Sequence, residues 1–185
     1  MKKMMILAAM MVAAVTANAQ NEVGQITLKP TVGLTMATLT DNSEAKTKVG
    51  LAAGVEGEYG LIEKLGVSAG IIYSMQGAKY DGDGKMKLDY INVPILANYY
   101  VIPGLAIKAG VQPGLLVSAK DSDGEDVKDS CKSFDLSIPV GASYEYQNFV
   151  IDARYNFGLT KINKEGSHSF KNSVFMITLG YKFAL

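Results

Sequence analysis

The residues best equipped for chemistry in this chain are a set of spaced charges, one histidine, one cysteine and two acidic loops. Lys29, Glu56, Glu58, Lys108, Asp135, Glu145, Asp152, Arg154 and Lys182 all fall on the polar phase of a two-residue alternation. Four cations against five anions is close to balance, and buried charges persist only when paired. The set predicts a salt-bridged network, with a proton or ion path as the functional alternative. Asp135 is expected near the opposite end of the fold from the rest. His168 lies between Ser167 and Ser169, but nucleophilic catalysis needs a nucleophile, a base and an orienting group, and no local signature accompanies it. No catalytic residue is assigned and no enzyme is expected.

Two stretches concentrate carboxylates, Asp81-Gly82-Asp83-Gly84 and Asp121-Ser122-Asp123-Gly124-Glu125-Asp126. Neither has the glycine at position six and the later glutamate of a calcium-binding loop. Asp and Gly dominate turns for conformational reasons, so both read as turns, with no metal and no cofactor. Cys131 is the single cysteine and cannot make an internal disulfide; it reads as an incidental loop residue.

The elements that position these groups begin after a leader. Lys2 and Lys3, the apolar run Met4 to Val15 and the small residues Ala17-Asn18-Ala19 predict a secretory signal peptide over 1–19. Residues 20–185 are then one exported domain. Of the 18 basic residues, 16 remain against 18 acidic ones, a balance that disfavours nucleic acid as a partner. No later segment is apolar for long enough to make a spanning helix.

What remains alternates with period two, as strands do. Phe149, Ile151, Ala153, Tyr155, Phe157 and Leu159 share one face, while Val150, Asp152, Arg154, Asn156, Gly158 and Thr160 share the other. Similar runs cover about 26–37, 48–60, 65–77, 88–100, 105–115, 134–145 and 174–183, eight strands in all. Short connections near Leu61 to Lys64, Val101 to Gly104 and Gln147-Asn148 alternate with long polar ones at about 38–47, 78–86, 119–132 and 161–171. An even strand count with short turns at one end and long loops at the other is the plan of an outer-membrane barrel.

The size of the residues on the polar face decides which side is wet. That face carries Gly33, Gly54, Gly110, Gly141 and Gly158, and the lumen of an eight-stranded barrel is only wide enough to be filled by side chains. Small and charged residues therefore belong inside. The large aliphatics and the rings Tyr59, Tyr99, Tyr146 and Phe149 belong against lipid. The fold predicted is an all-β, eight-stranded antiparallel up-and-down transmembrane barrel. Gly33, Thr35, Ser74, Gln76, Asn92, Ser118, Ser137 and Asn156 predict a shallow water-filled cup open to the exterior. Pro94 cannot donate to a ladder, and a bulge or gap is expected beside it.

The leader ending in Ala-Gln, the segment Tyr90-Ile91-Asn92-Val93-Pro94 and the terminal Leu179-Gly180-Tyr181-Lys182-Phe183 resemble the outer-membrane β-barrel "porin family" proteins of Bacteroidetes, a PorT-like group. The resemblance implies an outer-membrane location and recognition of the last strand by the barrel-assembly machinery. Ala184 and Leu185 extend past the aromatic on which such strands usually end. The expected role is structural or surface-interactive, for a monomer with a blocked lumen, a lipid surround and an unidentified extracellular ligand or surface partner. A narrow porin-like channel for small solutes and a soluble exported lipid-binding barrel are the alternatives.

Overall fold

The structure, a computed structural model, describes residues 22–40, 46–80, 84–162 and 170–185. The leader, Asp81, Asp83 and His168 lie outside the described residues. Among the described residues ten strands follow one another: β1 (Ile26–Thr40), β2 (Lys46–Ile62), β3 (Leu65–Lys79), β4 (Lys85–Asn92), β5 (Ile95–Ile102), β6 (Leu105–Lys120), β7 (Phe134–Tyr146), β8 (Phe149–Gly158), β9 (Lys171–Tyr181) and β10 (Phe183–Ala184). All pairings are antiparallel, and β1 pairs with both β2 and β9, which closes the ring.

The ten strands form eight staves, and proline accounts for the difference. β4 and β5 are one stave: Asn92 faces Ile72 and Ile95 faces Ala69, a constant register across the break. Gly70 N–H donates to the Pro94 carbonyl at 3.1 Å, but Pro94 has no N–H to return. On the other flank, Val93 N–H donates to the Pro113 carbonyl at 2.8 Å, and Pro113 likewise returns nothing. Two missing donors, one at Pro94 and one opposite Val93, interrupt the stave at adjacent positions without shifting it. Of the bulge or gap expected beside Pro94, the ladder thus has a gap and no bulge. The register shift of this stave lies at Asp89/Tyr90, against β6.

The β9–β10 break has the same origin. Leu185 N–H donates to the Ile26 carbonyl at 2.9 Å, so even-numbered residues of β1 face β9 and β10. Pro30 therefore withholds its donor where β9 stops at Tyr181. Replacing Pro94 with Ala should heal the first break. The new amide at position 94 should become protected in hydrogen exchange, with a stability change of no more than about 1 kcal/mol, the worth of one such bond. An amide that exchanges as fast as a loop's would contradict the in-register pairing with Gly70.

The barrel is inside-out relative to a soluble one. Ile71 is 61% exposed and Val32 59%, whereas Arg154 and Asp152 are 1% exposed and Asn98 fully buried. A soluble lipid-binding barrel needs the reverse assignment. Aromatic rings band the lower edge, where Tyr181 packs against Phe149 (5.2 Å) and Phe183 (4.8 Å), and Tyr155 meets Phe157 at 4.5 Å higher up. β1, β2, β3 and β6 run 15 to 17 residues, beyond the roughly 9–11 that cross a bilayer. The wall therefore continues past the membrane on the side of the long loops.

Candidate functional site

The lumen is built in layers, and the charged layer lies near the short turns. Asp152 and Arg154, two residues apart on β8, share a face and are joined at 2.8 Å, Nε to Oδ1. Lys29 and Glu56 are register partners on β1 and β2 and meet at 2.7 Å. Arg154 Nη1 reaches across to Glu56 Oε1 at 2.7 Å, and Lys108 Nζ reaches Asp152 Oδ2 at 2.7 Å. Lys29 completes the set at 3.7 Å from Asp152. All five side chains are nine-tenths buried or more.

Glycines make this arrangement fit. Lys108 faces Gly141 on β7, and Gly141 faces Arg154 on β8, so the lysine passes over an empty position to reach Asp152. A β-carbon on Gly180 would sit 2.8 Å from Lys29 Cγ, and one on Gly70 2.7 Å from Glu56 Cγ. Each charged stem thus lies over a glycine of a neighbouring stave.

A second group sits closer to the short-turn end. Lys182 Nζ contacts Glu145 Oε2 at 2.8 Å and the Tyr100 hydroxyl at 3.3 Å, and Tyr100 donates to Glu58 Oε1 at 2.7 Å. Glu58 is thus bound through a tyrosine that the charge pattern alone does not select. The space left between the two groups is about 10 Å³, about enough for one water. Asp135 lies apart from both. Its Oδ1 accepts from Thr160 Oγ1 at 2.6 Å near the outer ends of β7 and β8, and it joins no ion pair among the described residues.

Above the charges comes a layer of amides and hydroxyls. Ser74 Oγ accepts from Gln76 Nε2 (2.8 Å) and Asn92 Nδ2 (2.7 Å). Gln112 Oε1 and Asn156 Oδ1 have no protein partner, the kind of group that ordered water satisfies. The open polar cup is not what lies above them. Leu39, Leu88, Tyr90, Leu116, Cys131 and Ile162 close over the lumen as a buried apolar cluster. Cys131 is 3% exposed within it, so it is a packing residue rather than an incidental one. Leu88, Tyr90 and Leu116 all stand at lumen positions, and their size there was the available signal for a cap.

Outside this cap lies a cavity of about 620 Å³, walled by Leu39, Met86, Val127, Ile162 and Phe170 and rimmed by Lys85, Asp121 and Asp129. Asp121 spends its Oδ1 on the backbone N–H groups of Asp123 and Glu125, both at 3.0 Å. That is turn chemistry. Among the described residues no three potential metal ligands gather.

Comparison with known proteins agrees with this geometry. The sequence family described as "Outer membrane protein beta-barrel domain" matches residues 18–164. No curated protein matches the chain in sequence. Ail, the attachment invasion locus protein of Yersinia pestis, solved in complex with the heparin analogue sucrose octasulfate, superposes with a TM-score of 0.58 at 18% identity, over 88% of this chain and all of that one. Neisserial surface protein A gives 0.52 at 17% identity, over 91% of this chain and 98% of its own. At these identities the likeness is one of fold.

Proposed function

We propose a function from one premise: this chain belongs to the outer membrane protein beta-barrel domain family, and its barrel is closed along its axis. The observation that carries the reading is the stack of a charged layer and an apolar cap in a lumen only eight strands around. A solute crossing it would have to part five ion-paired side chains and then a dry cluster. The cavity of about 620 Å³ faces outward from the cap, within the size range of small-molecule sites. The protein is then a non-enzymatic surface barrel that presents this pocket and its loops to an extracellular ligand or partner. Fold alone does not assign the ligand.

The same reading includes export through a leader cleaved after Ala19, insertion by the barrel-assembly machinery as a monomer, and membership of the PorT-like porin group of Bacteroidetes. The competing reading is a narrow channel, favoured by the unpartnered polar atoms of the middle layer. Planar-bilayer conductance separates the two. The closed barrel should give no steady channel openings. Steady openings that shrink in Gly114→Ser would overturn it, because a side chain there points at the Asn92 amide within the lumen. Gly54 is unsuited to this test, since an added β-carbon would strike the Ile71 backbone.

A further inference from the structure

Beyond the outer end of the apolar band, one wall of the barrel turns from greasy to cationic. Lys46 of β2 is in register with Lys79 of β3, and Lys79 with Lys85 of β4. Two residues along the same face of β4, Lys87 is in register with Lys120 of β6. All five are exposed. Lys79, Lys85, Lys87 and Lys120 form no ion pair with any described residue. Two acids of the following loop are turned to their own backbone: Asp121 accepts from the N–H groups of Asp123 and Glu125, and Asp126 accepts from Lys128 N–H at 2.9 Å. Asp89 continues the lysine face one rung lower, opposite Met75. On the far wall the matching rungs hold Thr38 and Thr40, with a single Lys171 beside Thr40.

Like charges directly across a ladder destabilise a sheet. Edge protection, the usual reason for strand lysines, does not apply in a ring without edges. Among the described residues no anion answers the array at Lys79, Lys85, Lys87 and Lys120, which is the chemistry that recruits an external one. Its placement selects which one. Lys79, Lys85 and Lys87 stand on the strand face that lower down carries Ile71 and Ile91, the lipid face, with Lys85 also bordering the outward cavity, and long lysine stems lie along apolar surface while their heads sit at the interface. A soluble polyanion would come from the loop end.

We infer that Lys79, Lys85, Lys87 and Lys120 form a site for the phosphate groups of an outer-leaflet lipid. The β3–β4 pair holds one phosphate and the β4–β6 pair a second, about 8 Å away by the rise of two strand residues and one interstrand spacing. The site is independent of whether the lumen conducts.

The test is lipid retention. The full chain is refolded into phosphatidylcholine nanodiscs doped with diphosphorylated lipid A or with its dephosphorylated counterpart, then transferred to mild detergent and weighed by native mass spectrometry. The wild type should retain the phosphorylated lipid at least tenfold over the dephosphorylated one. Lys79→Gln, Lys85→Gln, Lys87→Gln and Lys120→Gln combined should abolish that preference, and each pair alone should weaken it. Lys132→Gln with Lys161→Gln, a loop control, should keep it. Heat-modifiable gel mobility reports folding, and the two pair variants carry the test if the fourfold variant does not fold. Retention that ignores the phosphates, survives all four changes or falls equally in the control overturns the site. So does binding of sucrose octasulfate through these lysines with lipid retention unchanged, which would make the partner a soluble polyanion.

Discussion

Asp152→Asn should destabilise the barrel by about 3–5 kcal/mol, the usual cost of breaking a buried ion pair from one side, and should do more harm than Arg154→Gln. The ordering follows from who is left alone. Without Arg154, Glu56 keeps Lys29 at 2.7 Å and Asp152 keeps Lys108 at 2.7 Å, so both carboxylates stay paired. Without Asp152, Lys108 loses its one ion-pair partner among the described residues while 4% exposed, and Arg154 and Lys29 keep only Glu56 between them. A buried ammonium with no anion costs more than a rearranged pair of carboxylates. Guanidinium unfolding in lipid vesicles measures both variants. Equal losses, or a greater loss for Arg154→Gln, would show that the layer acts by net charge rather than by specific pairing.

Gly141→Ala should cost more than the about 1–3 kcal/mol of ordinary overpacking, enough to block assembly into a heat-modifiable barrel. Its added β-carbon would overlap the Ala153 carbonyl oxygen and sit 2.7 Å from Arg154 Cβ. The carbonyl belongs to the wall and cannot move away, and the arginine is held by two carboxylates. Gly57→Ala is the matched control. There the nearest atom is the Thr27 carbonyl oxygen at 3.8 Å, and the variant should assemble as the wild type does. Equal behaviour of the two would mean that the lumen does not need the space left by the missing β-carbon of Gly141.

These predictions separate two kinds of information. The alternation of Phe149 to Leu159 against Val150 to Thr160 is a local property, because a strand turns successive side chains to opposite faces whatever its neighbours are. The eight staves and the short connections near Leu61 to Lys64, Val101 to Gly104 and Gln147-Asn148 were therefore legible in the chain, whereas the burial of Lys48 was not. The turns confirm this locally: Gly104 and Gln147 both take positive φ, 82° and 56°, as tight reversals between antiparallel strands require.

Partners across the ring were not legible, because register and tilt set them, and both belong to the closed sheet. Nothing near Glu58 in the chain points to Tyr100, and nothing near Lys108 points to Asp152; the contacts span 42 and 44 residues. The same holds for Asp135, which matches the pattern of the network but stands at the other end of it. Pro94 is the sharpest case. Its missing donor was readable, but whether the loss would bend the stave depended on Gly70 and Pro113 standing beside it. By itself, the sequence determined the staves and the two-residue alternation that gives each stave two unlike faces. Only the tertiary structure decided which charges meet, that glycines let them pass one another, and that Leu88, Tyr90, Leu116 and Cys131 converge to cap the lumen. The physical reason is that faces follow from geometry along one strand, while contacts follow from closing all eight around a space just wide enough to fill.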